Sequence, residues 1–326
     1  TITNFNDVAI NGAISGAGAV TITAPTDRNI LTSGTGGLIL TSAEMGNIAT
    51  SNLSLVTQGG GDITIGSGVD LRSSNVTILT LTSTDDIVFS NALQAKTLTA
   101  VADDDMTISA NLTTNTGSIT LEAADAGATA ATMAIANGVT IDSADNLVFT
   151  DGNNQAIALN SAGAAIFSAV DNISFDEDYT LTATAGNTTI DADTDNAGTG
   201  VVTLDAITAT NRTLSVTGSD FAITAAIAAD VIEFNASAGA GTIGLGHANS
   251  DADISQAELN LITPATSLEF AAGGDIDVRD VLVADGDVDQ IPHLILDSAA
   301  DVIFQTAAST AVRLTVEADV DVDFNI

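Results

Sequence analysis

A four-residue phrase recurs along the chain: an acidic or amide residue, then an apolar one, any residue, and a second apolar one. It reads DITI at 62–65, DIVF at 86–89, DMTI at 105–108, NLVF at 146–149, NISF at 172–175, DFAI at 220–223, DIDV at 275–278, DVIF at 301–304 and DVDF at 321–324. Adjacent copies are 24, 19, 26 and 20 residues apart, with longer gaps of 41, 48 and 55 where copies are missing. In several copies a second apolar-any-apolar unit starts seven residues upstream, as in Leu79-Thr80-Leu81, Leu98-Thr99-Ala100, Leu268-Glu269-Phe270, Leu294-Ile295-Leu296 and Leu314-Thr315-Val316. A coil of about 19–26 residues therefore reads as strand, short turn, strand, turn.

Alternation with period two turns one side chain of each pair inward and the middle residue outward. A strand this short cannot bury its inner face alone, but stacked coils can, with like residues piled in columns about 4.8 Å apart. The expected fold is all-β, a right-handed parallel β-helix forming a single continuous β-solenoid over 1–326. Five of the ten phenylalanines, Phe89, Phe149, Phe175, Phe304 and Phe324, end a phrase and are expected to share an interior column. The leading Asp or Asn is expected at a corner, its side chain bonding turn amides. A β-sandwich also uses short alternating strands. It does not repeat one phrase at a fixed coil length, and 326 residues would need several such domains with linkers that the composition does not show.

A longer correspondence overlies the short one. Glu44 and Glu258 are 214 residues apart, Asp62 and Asp275 are 213, Phe89 and Phe304 are 215, and Leu98 and Leu314 are 216. Residues 36–122 thus resemble 241–325, a long internal repeat of about 214 residues. Both copies carry a capping-box pattern, Thr41 to Glu44 and Ser255 to Glu258, which predicts one helical turn before the strand leading to a Gly-Asp corner. With Thr1 and Ile326 both inside strand-like patterns, the chain reads as a mature piece or a window onto a longer array.

The phrases LTSAEMGNI, LSLVTQGGGDITI, ISQAELNLI, LEFAAGGDIDV and LILDSAADVIF resemble the repeats of very large bacterial exoproteins of the filamentous haemagglutinin and β-strand-repeat adhesin type. The resemblance covers the style of most of the chain and is concentrated in 36–122 and 241–325. It implies secretion, an extracellular or cell-surface location, a β-helix shaft, and work in attachment, biofilm or surface structure. The N-terminal secretion domain of that family has no counterpart in these residues.

Charge narrows the partners. There are 35 Asp and 7 Glu against 6 Lys and Arg, a formal net charge of -36. Such a surface repels phosphate backbones, which argues against nucleic acid and anionic membranes and favours divalent cations, basic surfaces or a salty medium. No apolar run reaches the roughly 18–20 residues of a membrane span, no signal peptide is visible, and the absence of cysteine removes any disulfide framework. Uncapped solenoid ends would expose strand edges, so self-association into filaments, end to end or lateral, is expected.

Candidate chemistry centres on calcium. DADTDNAG spaces Asp191, Asp193 and Asp195 so that alternate carboxylates would converge on one hard cation in a looped backbone, and DGDVD does the same with Asp285, Asp287 and Asp289. Neither is an EF-hand, since Asn196 stands where Gly is required and Val202 where Glu is. GGGD at 59–62 resembles the glycine-rich calcium nonapeptide but lacks its G-x-D step and is not in tandem. A solvated acidic loop is the simpler reading of each. Polysaccharide lyases and hydrolases share the β-helix and use clustered carboxylates or basic residues. Here Arg28, Arg72, Lys96, Arg212, Arg279 and Arg313 are scattered, Tyr179 is the only Tyr, Trp is absent, and His247 and His293 have no ligand spacing. Asp103, Asp104 and Asp105 read as a hydrated turn, and no catalytic residue is assigned. Thr-any-Thr segments such as 21–23, 97–99 and 180–184 raise a binding module for ice or glycan, and Thr is equally a good exposed strand residue. The leading expectation is a non-enzymatic structural segment of a surface adhesin or fibre.

Overall fold

The arithmetic of a single short strand explains the architecture. Ile87–Phe89 buries Ile87 and Phe89 and leaves Val88 half-buried. Burying two such side chains contributes roughly 3–6 kcal/mol, while fixing three backbone residues costs about 3–6 kcal/mol. Such a strand persists only by adding to a ladder. The computed structural model describes residues 2–3, 10–15, 18–123, 131–150, 157–176, 179–237, 241–246, 252–279, 291–305 and 313–325. They fall into two compact units, Thr1–Ala165 and Ile166–Ile326.

The first unit stacks its strands in three parallel ladders. One joins Ala19–Thr26, Asn52–Gln58, Ile78–Ser83, Thr97–Ala102, Ile119–Glu122 and Leu147–Thr150. A second joins Ile63–Ile65, Ile87–Phe89, Met106–Ile108, Ala131–Ile135 and Ile157–Ser161. The third joins Val69–Asp70, Leu93–Ala95, Leu112–Thr114 and Val139–Ser143. Register brings like onto like: Leu53, Leu79, Leu98, Ile119 and Leu147 form one column, and Ile63, Ile87, Met106, Met133 and Leu159 another. All of these are buried.

The second unit repeats the scheme with longer strands. Ala206–Gly218, Ile227–Ala236, Ile262–Ala272, Leu294–Ser298 and Leu314–Ala318 form one parallel ladder, in which Leu268, Leu294 and Leu314 are register partners. Ile243–Leu245, Ile276–Arg279, Val302–Gln305 and Val322–Asn325 form another. The three long strands fuse what are separate strands elsewhere, Ala206–Gly218 pairing with both Tyr179–Ala183 and Thr188–Asp191; the register shifts between Ala209 and Thr213, where Asn211 takes a φ of 58°. The ladders are parallel where a sandwich requires antiparallel hairpins, so the chain is an all-β protein of the parallel β-solenoid type. No helix among the described residues is long and apolar enough to cross a membrane.

Three details differ from the sequence expectation. Coils of the first unit carry a third strand, such as Leu93–Ala95 or Leu112–Thr114, too short and polar to register as periodicity. The phenylalanines do not share one column: Phe89 stacks with Ile65 and Ile108, whereas Phe149 stacks on Leu121 in a different ladder. The apolar-any-apolar phrase marks any strand of the coil, so NLVF sits on another face from DIVF. For the same reason the copy missing after DMTI is present as Thr132–Ile135, paired Met106 to Met133 and Ile108 to Ile135, without a leading acid.

Both predicted helical turns form. Ser42–Gly46 is capped by Thr41 and Gln256–Leu259 by Ser255, each with a complete capping box to Glu44 or Glu258. Met45 and Leu259 are the buried anchors.

Candidate functional site

The corners concentrate the polar chemistry. The residue that leads the phrase acts between coils as well as at its own turn. Asn29 Oδ1 accepts the amide N–H of Asp62 at 3.1 Å, Asp62 Oδ1 that of Asp86 at 3.5 Å, Asp86 Oδ1 that of Asp105 at 3.1 Å, and Asp105 Oδ1 that of Thr132 at 2.7 Å. In the second unit Asp275 Oδ1 accepts from Asp301 at 3.1 Å and Asp301 Oδ1 from Asp321 at 3.0 Å. Amides serve equally, since Asn111, Asn137, Asn172 and Asn187 accept the amides of Thr140, Ala164, Val201 and Thr213. Each side chain fastens its own coil to the following one, satisfying an amide that the ladder leaves over.

Stacking the corners also crowds their charge. Asp62, Asp85 and Asp86 each place a carboxylate oxygen within 4.8 Å of the others, the one such trio among the described residues. Burial raises the pKa of Asp85, and the charges of Asp62, Asp104 and Asp105 raise it further. Asp86 is raised by burial first; the amide of Asp105 opposes this, while Asp85, Asp62 and Asp105 add to it. The hydrogen bonds of the trio run within the fold, Asp62 Oδ2 accepting Asn29 Nδ2–H at 3.0 Å. A similar crowding lies along an outward strand face, where Glu233 and Glu269 are register partners. Burial, followed by Glu233, Asp297 and Glu317, raises the pKa of Glu269.

The loop holding Asp191, Asp193 and Asp195 does not gather its three carboxylates in this way. Asp193 is buried at a φ of 68°, and its two oxygens accept the Gly198 amide at 3.0 and 2.9 Å while one also takes the Ser237 hydroxyl. Asp195 is exposed and accepts the amide of Ala197 at 3.1 Å. Asp191 ends a strand, its pKa raised by burial and by the charge of Asp193. Asp193 thus closes a tight turn. Asp285, Asp287 and Asp289, and His247, lie outside the described residues.

Other candidates acquire structural roles. Gly61 of GGGD faces the preceding coil, where a Cβ would come within 2.4 Å of the Arg28 carbonyl oxygen; Gly274 has the same relation to the Gly241 oxygen at 2.5 Å. Tyr179 is buried in the core, and His293 Nε2 is 2.8 Å from Thr315 Oγ1 of the next coil. Arg72 forks onto Asp70 with Nε at 3.0 Å and Nη2 at 2.9 Å, and Lys96 Nζ donates to the Ser74 carbonyl at 2.6 Å. The Arg72 hydrogen bond holds Asp70 below the usual carboxylate range. The pair lines a surface hollow of about 430 Å³ with Ser73 and Asn115. Outward hydroxyls line up over five strands, Thr21, Ser54, Thr80, Thr99 and Thr120, before Val148 ends the column, beside a mixed one of Thr23, Val56, Thr82, Val101 and Glu122.

A set of buried hydroxyls that lies outside the acid-led phrase completes the corners. The last inward position of many strands is a buried hydroxyl: Ser83 Oγ donates to the Gly61 carbonyl at 2.8 Å, Ser298 Oγ to Gly274 at 2.7 Å, Ser143 Oγ to Asn146 at 2.8 Å and Ser161 Oγ to Gly163 at 2.7 Å. The signal was available as a terminal Ser after alternating aliphatics, in TLTS, TIDS, ALNS and LILDS. No protein-family model, no curated protein and no solved structure matches the chain.

Proposed function

We propose that this protein is a structural, non-catalytic segment of an extracellular bacterial surface fibre or adhesin, in which the β-solenoid serves as shaft. The observation that carries this reading is the register itself. Like residues stack coil on coil in the core, and the polar groups at the corners are used to fasten coils together. The resemblance of residues 36–122 and 241–325 to haemagglutinin-type exoprotein repeats supplies the extracellular part. An acidic, cysteine-free surface suits a medium where salt screens charge and disulfides are not needed.

The test has two arms. Negative-stain electron microscopy of the purified chain is expected to show elongated particles of solenoid width. An antibody raised against it is expected to label the outside of intact, unpermeabilised source cells. Labelling that appears only after permeabilisation contradicts the surface assignment, and globular particles contradict the shaft.

A further inference from the structure

The chain contains two Asn-Gly steps, Asn11-Gly12 and Asn137-Gly138. This dipeptide carries its own chemistry. The glycine amide nitrogen can attack Cγ of the asparagine side chain, because no Cβ hinders its approach. A bond from that nitrogen to Cγ forms, the Cγ–Nδ2 bond breaks, ammonia leaves, and water then opens the succinimide. Opening at Cγ gives aspartate, and opening at the main-chain carbonyl gives isoaspartate. All four residues are exposed, so access to water does not separate the two steps. Hydrogen bonding does. Asn137 Oδ1 accepts the Ala164 amide at 2.9 Å, and the Gly138 amide donates to the Ala164 carbonyl at 2.7 Å. The Asn137 carboxamide also lies against Gly163, where a Cβ would collide with it. Nucleophile and target are thus each tied to the following coil, and the nitrogen keeps the proton that attack requires it to lose. At the other step neither the Asn11 carboxamide nor the Gly12 amide has a hydrogen bond among the described residues, and a Cβ at Gly12 would meet nothing within 4 Å.

We propose that Asn11 is a site of spontaneous deamidation to aspartate and isoaspartate, and that the inter-coil bonds at Asn137 and Gly138 protect the same dipeptide there. The open setting of Asn11 belongs to its place in the repeat. Glu44 holds the Ile10 amide as Glu258 holds that of Ile223, so Thr224 and Ala225 stand where Asn11 and Gly12 do. A coil lies beneath them, Thr224 donating its amide to the Leu204 carbonyl at 2.9 Å. Even so, Thr224 is exposed and the Ala225 amide has no hydrogen bond among the described residues. Reaction at Asn11 alters a tied span. The Ile10 carbonyl accepts Asn47 Nδ2–H at 2.9 Å, and the Ile14 amide donates to the Asn47 carbonyl at 3.0 Å. Isoaspartate inserts an extra main-chain carbon between these anchors, beside the helical turn that Glu44 caps.

Peptide mapping by mass spectrometry, with an isoaspartyl methyltransferase assay, on the 326-residue chain aged at neutral pH tests this. Expected is loss of the amide at Asn11 with isoaspartate in its place. Conversion at Asn137 is expected to be slower by about tenfold or more, because cyclisation depends on the proximity of groups that the fold ties elsewhere. It requires the coil to open locally. In concentrated urea, where those bonds are gone, the two sites are expected to convert at similar rates. Gly12→Ala, which the space at Gly12 accommodates, is expected to slow Asn11 and leave Asn137 unchanged. Equal rates in the folded chain, or a faster Asn137, overturn the proposal. A difference that persists unchanged in urea overturns it as well, since it assigns the selectivity to flanking residues rather than to the bonds between coils.

Discussion

Glu44 Oε1 accepts the backbone amide of Ile10 at 3.2 Å, 34 residues upstream, while the other carboxylate oxygen closes the helix cap on Thr41. Glu258 repeats the arrangement 214 residues later, taking the amide of Ile223 at 3.1 Å and that of Ser255 at 2.8 Å. One side chain starts a helical turn and ties it to the coil below. The internal repeat is therefore a repeat of bonds, and the Ser83–Gly61 and Ser298–Gly274 hydrogen bonds carry it further.

Glu44→Gln is expected to destabilise the chain by about 1–2 kcal/mol at neutral pH, because a charged acceptor of several amides is replaced by a neutral one. Burial raises the Glu44 pKa, but the hydrogen bonds from Thr41 and Ile10 outweigh it and the net shift is downward. A depressed folded-state pKa gives stability that is present above the unfolded value and lost as pH falls through the folded one. Urea titrations of wild type and variant should converge in acid.

At the Asp62, Asp85 and Asp86 corner the sign is opposite. Asp85 and Asp86 have raised pKa values in the fold, so the stability they contribute is full below the unfolded value and lost as pH rises through the folded one. Asp86→Asn keeps an acceptor for the Asp105 amide, as the asparagines at other corners do. It is expected to stabilise by roughly 0.5–1 kcal/mol at pH 7, the gain vanishing below the ordinary Asp range. Asp86→Ala loses the clamp and is expected to be less stable than Asp86→Asn at every pH.

Asp193→Ala is expected to cost on the order of 3 kcal/mol, combining lost charge-assisted bonds to Gly198 and Ser237 with a left-handed backbone that Ala resists. Asp193→Gly relieves the backbone part and falls between Ala and wild type. Thermal unfolding of the three proteins decides whether this aspartate is a turn residue, as described, or replaceable without loss.

Gly61→Ala and Gly274→Ala each push a methyl group against backbone of the preceding coil. A loss of about 1–3 kcal/mol is expected for either. Ala at Gly46, whose Cβ would meet nothing within 4 Å, is the control and is expected to be neutral or slightly stabilising.

The strands, the parallel stacking and both helical turns were legible because each follows from local pattern: alternation at Leu79-Thr80-Leu81, a capping box at Thr41 and Glu44. What local pattern cannot carry is which strand of one coil meets which of the next. Phe89 and Phe149 end the same phrase yet lie in different ladders, and only register separates them. The acidic loops show the same limit. Spacing alone suggested that Asp191, Asp193 and Asp195 converge, but the positive φ at Asp193 turns its carboxylate onto Gly198. The acids that do converge, Asp62, Asp85 and Asp86, are brought together from separate coils.

The central claim is parallel stacking in a fixed register, and disulfide mapping reaches it most directly because the chain has no cysteine of its own. Thr80 and Thr99 are register partners on an outward face, at the strand spacing of about 4.8 Å that a disulfide can span. Thr80→Cys with Thr99→Cys is expected to oxidise rapidly to an intramolecular bond in the folded protein, whereas Thr80→Cys with Val101→Cys, two residues out of register, is not. The reverse preference, or equal cross-linking of both pairs, would contradict the stacked coil.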